Sequence, residues 1–193
     1  SGWTATVTRD VAPLAVIVTS NQLHDVAVTN VTADRTWVYQ GFSANINVTV
    51  LNKGDFDENV TVTLYYNVTA NEVVGTQNVV LSPGQNKTVA FVWNTKGVLY
   101  CQNYTITAAA TIPADNNSAD NTLDAGPVKV RILGDMNGDG RVDILDALQF
   151  ASYFGLQKGD ARWNADADIN QDGMTDIFDA IVIAQHFGIG SYP

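Results

Sequence analysis

From about His24 to Val130, apolar and polar residues alternate with a period of two, the mark of strands with one buried face. Ala44, Ile46, Val48 and Val50 look one way while Asn45, Asn47 and Thr49 look the other. Val60, Val62, Leu64 and Tyr66 repeat the pattern opposite Asn59, Thr61 and Thr63. Val89, Phe91 and Trp93 oppose Thr88 and Ala90, and Tyr104, Ile106 and Ala108 oppose Asn103, Thr105 and Thr107. Turn chemistry parts the runs at Asn52-Lys53-Gly54-Asp55, Ser82-Pro83-Gly84-Gln85 and Asp115-Asn116-Asn117-Ser118. Val128, Val130 and Ile132 continue the last run, and Gly134 ends it. About seven short strands with one apolar face each predict a two-sheet sandwich of immunoglobulin type, without the Cys…Trp…Cys signature of antibody domains.

Helical periodicity enters only in the last third of the chain. Ile144, Ala147, Leu148, Ala151 and Phe154 form one stripe, and Ile177, Ala180, Ile181, Ala184 and Phe187 form another. The two segments align at an offset of 33 residues: Asp135/Asp168, Gly140/Gly173, Asp146/Asp179, Phe154/Phe187 and Gly155/Gly188. Two copies of this kind predict two apolar stripes packed on each other across a pseudo-twofold axis. Each helix follows a twelve-residue loop, Asp135–Asp146 and Asp168–Asp179, with oxygen-bearing side chains at positions 1, 3, 5, 9 and 12 and Gly at 6. That spacing wraps a short loop around one hard cation, which points to calcium and to a compartment rich in it.

The first 23 residues are surplus to the strand count. Trp3, Ala5 and Val7 alternate with Thr4, Thr6 and Thr8, and Leu14-Ala15-Val16-Ile17-Val18 is wholly apolar. This segment is expected either to add an edge strand to its own sheet or to pair with another molecule as a donor strand. The start at Ser1 fits removal of a leader, and equally an artificial boundary.

Composition narrows the function. Of the 193 residues 46% are hydrophobic and 16% charged, a profile that suits an extracellular β protein. The net charge of −10 argues against nucleic acid as partner. Residues 131–193 hold ten Asp against four Lys and Arg, a net of −6, of which two bound Ca²⁺ would cancel four. Cys101 is the single cysteine, so no internal disulfide is possible and an intermolecular one is the sharper alternative to a half-buried thiol. No run of 18 apolar residues exists to span a membrane.

Neither loop is preceded by a long helix, and position 12 is Asp rather than Glu, so each unit is a half EF-hand: a loop and its exiting helix. The pair resembles the dockerin family over residues 133–188. The resemblance implies one Ca²⁺ held by Asp135, Asn137, Asp139, Asp143 and Asp146 with the Arg141 carbonyl, and a second by Asp168, Asn170, Asp172, Asp176 and Asp179 with the Met174 carbonyl. It also implies a cohesin-like protein partner. At loop positions 10 and 11, where cellulosomal dockerins often carry hydroxyl residues, this chain has Ile144-Leu145 and Ile177-Phe178, which implies contact with the core or with an apolar partner. Residues 24–131, from Asp25-Val26-Ala27-Val28 through Asn52-Lys53-Gly54 and Phe91-Val92-Trp93 to Asp120-Asn121-Thr122, resemble CARDB domains, adhesion-related sandwiches of prokaryotic secreted and surface proteins. The expected division is therefore 1–23 extra strand segment, 24–131 sandwich and 132–193 calcium module.

Seven Asn-x-Ser/Thr sequons, at Asn30, Asn47, Asn59, Asn67, Asn86, Asn103 and Asn116, fall in the sandwich and none in the calcium module. At Asn47, Asn59 and Asn103 the acceptor lies on the polar face of its strand, so N-linked glycans are expected there. No catalytic constellation stands out. His24 and His186 are the only histidines and suit capping or surface roles, and Glu58 and Glu72 are the only glutamates. Trp3, Trp37, Trp93 and Trp163 are scattered and read as packing residues rather than a sugar platform. The expected function is a non-enzymatic extracellular structural or adhesion protein that self-associates into a filament. The alternative is an anchoring module that docks on a separate cohesin-like scaffold. Sugar recognition by the sandwich is the weakest reading.

Overall fold

The computed structural model describes residues 22–67 and 70–190. The N-terminal donor-strand segment falls outside the described residues except for its last two positions, Gln22 and Leu23. Among the described residues, eight strands form two sheets: β1 (Val26–Ala33), β2 (Trp37–Tyr39), β3 (Ser43–Asn52), β4 (Glu58–Asn67), β5 (Asn71–Leu81), β6 (Asn86–Asn94), β7 (Gln102–Thr111) and β8 (Thr122–Arg131). One sheet runs β1-β3-β6 and the other β2-β8-β7-β4-β5. Pairing is antiparallel except for β2, which lies parallel to β8 through Val38 opposite Val130.

The alternating residues meet between the sheets. Ala44, Ile46, Val48 and Val50 from one sheet and Val60, Val62, Leu64, Ile106, Ala108 and Val130 from the other are wholly buried in one cluster. Trp93 closes one end of it against Tyr66 and Tyr104, with ring centroids 5.1 and 5.6 Å away. The edge strand β5 is silent in the sequence because its fully buried residues are only Val79 and Leu81, with Val74 half-buried beside them. β2 was silent because three residues carry no period.

β8 runs straight into the first half-hand. The helices are α1 (Ile144–Ala151) and α2 (Ile177–Gln185), and a second cluster gathers Ile132, Met136, Val142, Phe150, Ala167, Ile169 and Ile183. Here the expected packing of the two stripes is overturned. Ile144, Leu148 and Phe154 are 60%, 62% and 53% exposed, and Ile177, Ile181 and Phe187 are 56%, 45% and 51% exposed. The inward residues are instead Phe150 and Ile183, themselves equivalent at the 33-residue offset. The reason is the loop. Asp146 and Asp179 are buried at position 12, and the residue four further on shares their helix face. The buried Asp at position 12 sets the rotation of each helix, and the stripe is left outside.

Candidate metal centre

Each loop is a closed set of carboxylate-to-backbone hydrogen bonds. In the first, Asp135 accepts from the Gly138 and Gly140 amides at 2.7 and 3.1 Å. Asn137 accepts from Asp139 N (2.9 Å), and Asp139 from Arg141 N (2.9 Å). Asp146 spans the loop, with Oδ1 accepting from Asn137 N (3.0 Å) and Oδ2 from Asp143 N (2.8 Å). Asp143 caps α1 by accepting from Leu145 N at 2.8 Å.

The second loop repeats this almost bond for bond. Asp168 accepts from Asp172 N (3.1 Å) and Gly173 N (2.9 Å), Asn170 from Asp172 N (2.9 Å), and Asp172 from Met174 N (2.9 Å). Asp179 accepts from Asn170 N (2.9 Å) and Asp176 N (2.8 Å), and Asp176 caps α2 through Phe178 N (2.8 Å). Gly140 and Gly173, at loop position 6, have φ of 91° and 93°, a bend that other residues adopt at a cost. The loops are cross-linked with pseudo-twofold symmetry. Val142 exchanges backbone bonds with Gly188 and Ile189 beyond α2, and Thr175 does so with Gly155 and Leu156 beyond α1.

The donor chemistry fits a hard cation. Asp135, Asp146 and Asp179 have no exposed surface and Asp168 is 6% exposed. Among the described residues none of these four carboxylates forms an ion pair. Burial pushes Asp135 above the usual carboxylate range, against the pull of the Gly138 and Gly140 amides. Buried charge of this kind is ordinarily paired or bound to metal. Counted on carboxylates, imidazoles and thiolates alone, no group of three among the described residues is disposed to hold an ion. Beside their carboxylates the loops carry the carboxamides of Asn137 and Asn170 and backbone carbonyls, a mixed oxygen set of the kind that calcium takes.

The first loop is also fastened to the sheets, which sequence reasoning missed. Lys129 Nζ donates to Gly138 O at 2.9 Å, and Arg131 Nη1 donates to Met136 O at 3.2 Å. The Arg131 guanidinium lies 3.9 Å from the Trp37 ring centroid. Cys101 Sγ donates to Gly140 O at 3.7 Å, so the thiol belongs to this junction. Phe42 packs against both clusters. An alternation of Lys129 and Arg131 across Val130 was the one signal present: two cations on the strand that enters an acidic loop.

The remaining candidates are dispersed. His24 stacks on Phe56 (centroids 4.5 Å) with Nδ1 at 2.5 Å from Glu58 Oε1, and His186 caps α2 with Nδ1 at 2.8 Å from Val182 O. Trp93 is buried and Trp163 lines a cleft of about 510 Å³ beside the second loop with Arg35, Phe42 and Asp166. The sequon residues Asn30, Asn47, Asn59, Asn86, Asn103 and Asn116 are exposed, and Asn67 is half-buried.

A family model for the dockerin type I domain matches residues 133–188. Domains of that family bind calcium, dock onto cohesins, and are typically extracellular or at the cell surface. No curated protein matches the chain. Among solved structures, the chain is similar to the CARDB domain of a Pyrococcus furiosus protein in complex with di-metal ions, at 22% identity and TM-score 0.46, covering 56% of this chain and 89% of that one. A solution structure of the same domain gives the same identity and TM-score over 96% of its length. A Listeria innocua β-glucosidase in complex with glucose is 16% identical at TM-score 0.40, over 60% of this chain but 17% of the enzyme.

Proposed function

We propose that this chain is a non-enzymatic, calcium-stabilised docking protein of the cell exterior. In this reading an immunoglobulin-type sandwich (24–131) carries a module (132–193) that binds a protein partner. Two Ca²⁺ fold that module. Asp135, Asn137, Asp139, Asp143 and Asp146 hold one with the Arg141 carbonyl, and Asp168, Asn170, Asp172, Asp176 and Asp179 hold the other with the Met174 carbonyl. The carrying observation is the apolar face that the module leaves uncovered. Ile144, Leu145 and Leu148 on α1 repeat as Ile177, Phe178 and Ile181 on α2, and all six are at least 45% exposed. Six such side chains in two symmetric triads exceed the scattered apolar exposure of an ordinary surface. Glycans at the exposed sequons would coat the sheets and leave this face bare.

The partner we favour is a cohesin-like scaffold, because Ile144-Leu145 and Ile177-Phe178 sit at loop positions 10 and 11, where the matched family reads its partner, and Leu148 and Ile181 extend that face by one helical turn. A second reading is self-assembly into a filament. It is favoured by the open edges at β5 and β6, which pair only with β4 and β3 among the described residues, and by the surplus apolar run Leu14–Val18. Affinity capture with the full chain and with a Leu148→Asp/Ile181→Asp variant tests the proposal. The wild type should retain a partner in Ca²⁺ and release it in EGTA, while the variant retains none yet keeps its helicity. Equal capture by both proteins would defeat the reading. Capture of a distinct scaffold supports anchoring; capture of further copies of this chain, with fibres by electron microscopy, supports assembly.

A further inference from the structure

Three acidic groups that the loops do not use, Asp25, Asp115 and Asp120, gather at the far end of β8, with the whole of that ten-residue strand between them and the first loop. Among the described residues, three buried side-chain oxygens can only accept a hydrogen bond and receive none: Asp25 Oδ1, Asp120 Oδ1 and Asn121 Oδ1. All three lie at one pole, where β1 begins and the connection from β7 enters β8. Asp115 organises it. Its Oδ1 accepts from Asn117 N (2.7 Å), and its Oδ2 accepts from Val26 N (3.2 Å) and Asn121 Nδ2 (3.1 Å). The last bond fixes the Asn121 amide with nitrogen towards Asp115 and oxygen free, in a residue only 8% exposed.

One cation faces this group. Lys53 donates its amide to Asp25 O (2.8 Å), and its Nζ reaches Asp120 Oδ2 (2.5 Å) from the exposed side. That leaves three carboxylates, Asp25, Asp115 and Asp120, against one ammonium. Burial and the two neighbouring carboxylates hold Asp25 above the usual carboxylate range, with Lys53 opposing. A water would meet the orphaned oxygens but not the surplus charge, and an organic ammonium is too large for acceptors closed to solvent. What remains is a small, hard, multiply charged ion.

We propose that Asp25 Oδ1, Asp120 Oδ1 and Asn121 Oδ1 are ligands of a calcium ion at this pole, separate from the half-hands. Two carboxylates and a carboxamide form an all-oxygen set suited to calcium. Asp115 is a positioning residue that aims the carboxamide. The ion ties the point where the chain enters β1 to the β7–β8 connection, which among the described residues are hydrogen-bonded through Val26 and Asp115 and through the His24–Asn116 pair.

The test is a difference, so it is independent of how many ions the half-hands hold. Native mass spectrometry of the full chain in CaCl₂ should show one calcium fewer in Asp25→Asn and in Asp120→Asn than in the wild type. Equal counts in all three proteins would overturn the proposal. A measurement on the unmutated chain guards against a variant that fails to fold. Mn²⁺ added to the ¹⁵N-labelled protein should broaden the amides of Val26 and Asn121. Broadening confined to residues 135–146 and 168–179 would overturn the proposal as well.

Discussion

At loop position 4 the two half-hands carry different residues in the same backbone state, Gly138 with φ 80° and Gln171 with φ 63°. The difference is explained by Arg131. A Cβ on Gly138 would lie 2.5 Å from the guanidinium carbon that stacks on Trp37. The second loop meets no such neighbour, so a side chain is tolerated there at the ordinary cost of the left-handed region, about 1–2 kcal/mol. Exchanging the two should therefore have opposite signs. Gln171→Gly relieves that cost but adds freedom to the unfolded chain, and should stabilise by at most about 1 kcal/mol. Gly138→Gln adds the backbone cost and displaces Arg131 from Trp37, a cation–π contact of about 0.5–1 kcal/mol, for a loss of about 1.5–3 kcal/mol. Urea unfolding in saturating Ca²⁺ measures both. A Gly138→Gln loss no larger than the backbone cost alone would mean that Arg131 moves aside freely.

On the scale of elements, the helices are set by their caps and loops more than by their own sequences. α1 and α2 span eight and nine residues, lengths at which an isolated helix is marginal in water. Each opens with a capping box, Asp143 with Asp146 and Asp176 with Asp179, whose members are also proposed ligands. The strands were legible in the sequence wherever one face is buried, as in β3, β4, β6 and β7. The loops were legible because five donors and a glycine recur in register. The helix faces were not, because a hydrophobic stripe reports a buried face only when packing fixes the rotation. Here the inward Asp146 and Asp179 fix it, and Phe150 and Ile183 follow four residues later. The double role of the cap is separable. Asn caps as well as Asp, so Asp143→Asn should keep α1 in excess Ca²⁺ while weakening binding at the first loop. Asp143→Ala should lose both, at about a further 1 kcal/mol. Circular dichroism across a calcium titration checks this, and coincident curves for the two variants would show that the cap contributes nothing.

The described residues form two cores joined by a seam, and through the seam the proposed calcium binding becomes a property of the sheets as well as of the loops. Phe42 belongs to both clusters, Ile132 is 2% exposed in the second, and Lys129 and Arg131 hold first-loop carbonyls from the end of β8. Withdrawing Ca²⁺ leaves the buried carboxylates of both loops uncompensated, so the half-hands should open and uncover this seam. Exposing one buried side chain of the size of Ile132 costs about 1.5–3 kcal/mol. For a unit of this size that amounts to a fall in Tm of the sheets of roughly 6–20 °C. The calorimetric scan should accordingly change from one transition in Ca²⁺ to two in EGTA, with the sheets melting lower in EGTA. An Asp25→Asn background removes the contribution of the proposed polar site, so the shift that persists there belongs to the seam. Coupling is reciprocal: whatever calcium at the first loop lends to the sheets, the sheets lend to the affinity of that loop. In the same Asp25→Asn background, Trp37→Ala, which strips the platform from Arg131 without touching a ligand, should therefore weaken one of the two half-hand sites and leave the other unchanged in isothermal titration. If both classes weaken alike, or neither does, the modules are merely adjacent and the seam transmits nothing.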